Sequence, residues 1–146
     1  MLFIEKPAGF NLKMEVVSCF LENMEGKFVL LHRQPQKSQG ETWGVPAGRV
    51  EKEDSGISQA IIREVREETG IGLEKDEVKF IETVFVRYPD YDFVYHIFHA
   101  KKPFLSEDII INSQEHQGKT LVTPKQALEM SLIQDLDECI KRFYSA

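Results

Sequence analysis

Between residues 63 and 70 the chain reads Arg-Glu-Val-Arg-Glu-Glu-Thr-Gly, which puts Glu64, Glu67 and Glu68 at helical contact spacing. At about 100° per helical residue the three carboxylates span an arc of roughly 100°, and the same arc holds Ile57, Ala60 and Ile61. An acidic face that merely met water would lie opposite the apolar one. Glu64 with Glu67 and Glu64 with Glu68 are like-charge pairs, each costing roughly 0.2–0.5 kcal/mol. They also crowd a helix C-terminus, where the macrodipole disfavours each anion by about 0.3–1 kcal/mol. Arg63, four residues before Glu67, relieves part of this in the weaker of the two orientations. A divalent cation among the carboxylates would turn the arrangement favourable. Several carboxylates on a partly open surface suit hard ions such as Mg²⁺ or Mn²⁺, which keep waters and accept phosphate oxygens as further ligands. Hydrolysis of a phosphoanhydride is the chemistry that follows. Periodicity alone leaves open a second reading, an exposed acidic helix end neutralised by Arg63 and Arg66.

The elements that must position these groups are legible in outline. Residues 14–21 and 27–32 are apolar and flank the turn residues Asn23 to Gly26, a β-hairpin pattern. Residues 34–42 are polar, with Pro35 and Gly40, and read as an exposed loop. Trp43-Gly44-Val45-Pro46-Ala47-Gly48 is a tight, shaped turn. The spacing predicts a helix over 57–69, with Asp54 or Ser55 as N-cap and Gly70 ending it. A second hairpin is expected over 78–87 and 91–99, then a short strand near 119–123, a helix opening at Thr123-Pro124, and a last helix over 132–143. Strands and helices interleave without strict alternation, which predicts a mixed sheet with helices on its faces.

Gly48, Asp54 and the run from Arg63 to Ile71 together resemble the Nudix box, a loop, helix and loop in which Gly, five residues, Glu, seven residues and Arg-Glu-apolar-any-Glu-Glu-any-Gly-apolar follow one another. The second half matches at every specified position, and Trp43 to Gly48 resembles the usual approach to the box. The first half departs twice. Asp54 stands where Glu is usual, and eight residues instead of seven separate it from Arg63. The resemblance implies an α+β fold, a Nudix-like α/β/α sandwich with a mixed central sheet, in one domain over residues 1–146. It implies that Glu64, Glu67 and Glu68 hold Mg²⁺ or Mn²⁺, with a backbone carbonyl of Ala47 or Gly48 completing the coordination and Arg63 orienting a glutamate. It implies as general base Glu67 first and Glu115 second, the latter in the polar loop 113–118. The implied reaction is hydrolysis of a nucleoside diphosphate linked to another moiety, with a nucleoside triphosphate cut to monophosphate and pyrophosphate as the preferred class. Nucleotide-sugars, dinucleoside polyphosphates and capped RNA are the alternatives, and a noncatalytic nucleotide-sensing module the competitor from another class.

Composition bounds the rest. The chain has 146 residues, 42% hydrophobic and 29% charged, enough for one domain with its own core. Eighteen basic against twenty-four acidic residues leave a net charge of −6, so bulk attraction to DNA is not expected and a small nucleotide is the expected partner, with a homodimer left open. Cys19 and Cys139 lack metal-ligand spacing and read as buried thiols, in keeping with a cytoplasmic setting. No stretch approaches a membrane span or a signal peptide. Trp43, Phe85, Arg87, Tyr88, Tyr91, Phe93 and Tyr95 are candidates for a surface that stacks on a base, with Arg33 or Arg87 near a phosphate; core packing or cross-strand pairing is the other reading of each. His96 and His99, three apart in an expected strand, face opposite sides and are poor metal partners. His116 is expected to point away from the site.

Overall fold

In the computed structural model, which describes residues 1–144, eight strands join in one sheet: β1 (Leu2–Phe3), β2 (Leu12–Glu22), β3 (Phe28–Arg33), β4 (Trp43–Gly44), β5 (Ala47–Arg49), β6 (Val78–Arg87), β7 (Asp92–Lys101) and β8 (His116–Val122). Three helices accompany them: α1 (Ile57–Thr69), α2 (Pro124–Ala127) and α3 (Leu136–Tyr144). The order runs β1-β6-β7-β2-β3-β4, with β5 on β2 and β8 on β3. β2 and β7 are parallel and their neighbours antiparallel, so the sheet is mixed as expected.

Alternation along β2 explains the layering. Val17, Cys19 and Leu21 face α1 and pack with Ala60, Ile61 and Val65, whereas Phe20 faces the other way, onto Leu136, Cys139 and Ile140 of α3. Both sheet faces are therefore covered, the sandwich the pattern predicts. Cys19 and Cys139 are buried free thiols in these two cores, and burial pushes each up to about 12. Among the described residues no helix is long and apolar enough to cross a membrane.

One departure from a plain hairpin shapes the molecule. β2 and β3 pair only at Glu22 with Phe28, next to their turn, and then diverge. The opening fork is bridged by the turn after the polar loop: β4 pairs with β3, and β5 pairs with Val16 to Ser18 of β2. Val45 and Pro46 between them are buried, and Pro46 accepts the Cys19 amide at 3.0 Å.

α1 has the predicted bounds, but its N-cap is Gly56, with no side-chain cap. Asp54 is spent on another partner and Ser55 is not the cap. Gly70 ends the helix at φ 75°, its amide donating to the Arg66 carbonyl at 2.9 Å. Thr123 caps α2 and accepts the Gln126 amide. The last helix starts four residues later than expected, because Leu132 bridges to Trp43 and Ile133 donates to the Trp43 carbonyl before Asp135 turns at φ 70°. β8 starts three residues earlier than expected, and β1 has no signal in the pattern.

Gly70→Ala places a Cβ in the left-handed region, at a cost of roughly 1–2 kcal/mol. Urea denaturation should show a lower midpoint with an unchanged slope. An unchanged midpoint would contradict the cap assignment.

Candidate active site

The fork between β2 and β3 opens onto a cavity of about 620 Å³. α1 and β5 make its acidic end. Glu64 is only 8% exposed, and its carboxylate lies flat on Gly48, where any Cβ would overlap it. Glu68 is half-buried, and its Oε1 accepts the Ala47 amide at 2.9 Å. Glu67 lines the same cavity but keeps 54% of its side chain in water. The inward arc thus holds fully for Glu64 and Glu68. Glu67 sits at its edge, about 100° from Glu68, and forms the rim.

Arg63 organises this end. Its Nε and Nη2 fork onto Asp54 at 3.0 and 2.9 Å, Nη1 donates to Glu64 at 2.9 Å and Glu67 at 3.3 Å, and Nη2 also donates to the Arg49 carbonyl at 3.0 Å. The Asp54 side chain is 2% exposed, and the guanidinium holds its carboxyl below the usual carboxylate range. Both departures from the box are accounted for here: a shorter acid, one residue further from the helix, anchors Arg63. Glu51, which no motif marked, lies 3.6 Å from Arg63 and also lines the cavity.

The glutamates are only partly compensated, because the one guanidinium is shared among Asp54, Glu64 and Glu67. Burial pushes Glu64 up to about 7 against the relief given by Arg63. Burial pushes Glu68 up to about 8, opposed by the Ala47 amide and reinforced by Glu64 and Glu115. Hard oxygen donors, pushed by burial toward the protonated form and cradled on a glycine, fit a divalent ion such as Mg²⁺ or Mn²⁺. Among the described residues no three acidic, histidine or cysteine side chains already converge as a ready-made cage. The site is an acidic cradle open to a ligand.

The opposite end is apolar and aromatic, with Tyr88, Phe93, Tyr95 and Leu136 in its wall. Asp135 lies among them, 14% exposed. Its Oδ2 is buried and pairs with the Met1 ammonium at 3.1 Å. Gln39 closes this end by accepting the Gln134 amide at 2.6 Å.

Arg33 and Glu115 do line the cavity with the glutamates. Trp43 and Arg87 do not. Trp43 stacks on His32 at 4.3 Å, beneath the turn it anchors, and Arg87 is held by Asp92 at 2.8 and 3.0 Å on another face. His116, expected to point elsewhere, lines the cavity at 4% exposure. His96 pairs with Glu15 and His99 with Glu22, away from the site. Asp135 was overlooked because it fell inside an expected helix; an aspartate, tolerant of left-handed φ, just ahead of a helix was the available signal.

A family model described as NUDIX domain matches residues 12–144. The CTP pyrophosphohydrolase of Escherichia coli (strain K12) is 41% identical over 58 residues, 40% of this chain and 42% of that protein. The matched stretch thus spans about two fifths of the length of that curated relative. The MutT protein of Methanosarcina mazei Go1 superposes with a TM-score of 0.78 at 22% identity, covering 92% of this chain and 95% of that one. The ORF135 protein of E. coli superposes with a TM-score of 0.73 at 26% identity, covering 95% and 94%.

Two outcomes follow for the acidic end. Between the ordinary carboxylate value of 4.5 and the raised values of about 7 and 8, the folded protein binds more protons than the unfolded chain, so stability falls as pH rises through that window. Without metal, the melting temperature should drop from pH 5.5 to 8, and Glu68→Gln should flatten the drop; parallel curves would contradict the raised carboxyls. Gly48→Ala must displace the Glu64 carboxylate. Calorimetric Mn²⁺ titration should show weaker binding in a folded variant, and wild-type affinity would contradict the cradle.

Proposed function

The chain belongs to the Nudix hydrolase family, and from that premise we propose that it is a Mg²⁺- or Mn²⁺-dependent pyrophosphohydrolase cutting a nucleoside triphosphate to monophosphate and pyrophosphate. The observation that carries the reading is the two-ended cavity: a cradle of glutamates at one end, and aromatic rings around the Asp135 carboxylate at the other. A nucleotide has the same two ends.

Glu64, Glu67 and Glu68, with a carbonyl of Ala47 or Gly48, are the groups that would hold the ion. When bound, the ion supplies neutralisation of phosphate charge and a lowered water pKa. The protein's own residues do the remainder. Arg63 keeps Glu64 and Glu67 in fixed orientation, so little reorganisation is needed when a ligand arrives. Arg33, which lines the same cavity with its guanidinium on Ser38, is the cation we assign to the phosphates. Glu67 at the rim is the general base we assign, with Glu115 second; either would take the proton of the attacking water as oxygen adds to phosphorus and the leaving phosphate departs.

The far end supports a base carrying an exocyclic amino group. Asp135, whose Oδ2 holds the Met1 ammonium, offers a carboxylate acceptor, which an N–H donor of a base satisfies and a carbonyl edge does not. The name of the Escherichia coli relative, CTP pyrophosphohydrolase, agrees with an aminated triphosphate. A volume of about 620 Å³, closed by Gln39 and Gln134, supports one nucleoside over two.

Chromatography of products from a panel of triphosphates, nucleotide-sugars and dinucleoside polyphosphates with Mg²⁺ should show monophosphate and pyrophosphate, with CTP and dCTP favoured over UTP. Orthophosphate release, or no turnover of any triphosphate, would contradict the reading. Of Glu67→Gln and Glu115→Gln, the first should lose about 10²–10⁴ in kcat; a full-rate Glu67→Gln variant passes the role to Glu115.

A further inference from the structure

His116 stands apart from the other three histidines. His32 bonds the Glu41 carbonyl at 3.0 Å, His96 bonds Thr83 at 2.8 Å and Glu15 at 2.7 Å, and His99 bonds Glu22 at 2.8 Å. His116 is 4% exposed, and among the described residues no hydrogen bond reaches its ring; Nδ1 is buried without a partner. A buried polar atom left unpaired carries a desolvation penalty that a structure tolerates where a ligand completes the bond. The one unpartnered histidine is also the one that lines the cavity.

Its position tells which part of a ligand it meets. His116 opens β8 and pairs with Arg33 of β3 across a β-bulge, and both side chains line the same cavity. Glu115 precedes it in the chain and Arg33 pairs with it, and all three line the cavity together with Glu64, Glu67 and Glu68. Burial and the Arg33 charge press its titration down to about 4. At neutral pH the imidazole is uncharged, with one N–H donor and one acceptor. It adds a donor beside Arg33 with no repulsion between cations, at an end where the other prominent groups are acidic.

We propose that His116 is a phosphate-binding residue, its imidazole N–H donating to a phosphate oxygen of the bound nucleotide alongside Arg33. The inference rests on the nucleotide reading above for the ligand's class.

The test titrates inorganic pyrophosphate calorimetrically, with Mg²⁺ present, into the wild type, His116→Phe, His116→Gln and His116→Ala, and measures KM and kcat on the best nucleotide of the panel. Loss of one hydrogen bond predicts that His116→Phe and His116→Ala weaken pyrophosphate binding and raise KM about tenfold, with kcat changed far less. His116→Gln, which restores an N–H, recovers most of the affinity. The melting temperature of His116→Phe stays level or rises, since an apolar ring removes the unpaired atom. Unchanged affinity and KM in both His116→Phe and His116→Ala would overturn the proposal, as a trapped water or mere packing predicts; so would a wild type that binds no pyrophosphate. A wild type that hydrolyses no nucleotide, while the variants still lose pyrophosphate, would sink the activity and leave the phosphate contact standing.

Discussion

A single guanidinium holds the acidic end together. Arg63 ties the loop before α1 through Asp54, the strand beside it through the Arg49 carbonyl, and the helix itself through Glu64 and Glu67. Without that fork the carboxylates would have every reason to swing into water, since desolvation and mutual repulsion both oppose their burial. Arg63 satisfies Glu64 only in part and does not reach Glu68. The remaining deficit of positive charge is the ground on which we propose the cavity as a cation-binding site.

The fold supplies the room. A hairpin whose strands stayed paired would have filled the space with backbone hydrogen bonds. Because β2 and β3 separate after Glu22 and Phe28, β4 and β5 must take up the exposed edges, and their small residues let α1 approach until the Glu64 carboxylate touches backbone. Gly48 is where sequence, packing and chemistry meet: any side chain there would claim the volume of the carboxylate.

What was readable in the chain follows the range of the forces involved. The bounds of α1 come from local periodicity and a left-handed glycine, and both act within a few residues. The burial of Glu64 and Glu68 was legible because apolar and acidic positions share one arc. Asp54, Trp43 and Arg87 were harder. Each is settled by a partner distant in sequence or hidden in packing: Arg63 for Asp54, His32 for Trp43, Asp92 and the Ala8 carbonyl for Arg87. Asp135 and His116 owe their place to strands and turns that start at residues other than those periodicity suggested. Of the rings offered for stacking, Tyr88, Tyr91, Phe93 and Tyr95 of the second hairpin do line the cavity, whereas Trp43 stacks on His32 and Phe85 packs on Phe10.

The central claim is that the buried glutamates await a cation. Anomalous diffraction from a crystal soaked in manganese tests it most directly. The account predicts a strong peak at the acidic end, bound by carboxylate oxygens of Glu64 and Glu68 beside the Ala47 to Gly48 backbone. A fully soaked crystal with no peak there, and with Glu64 and Glu68 still resting on Gly48 and the Ala47 amide, would contradict it.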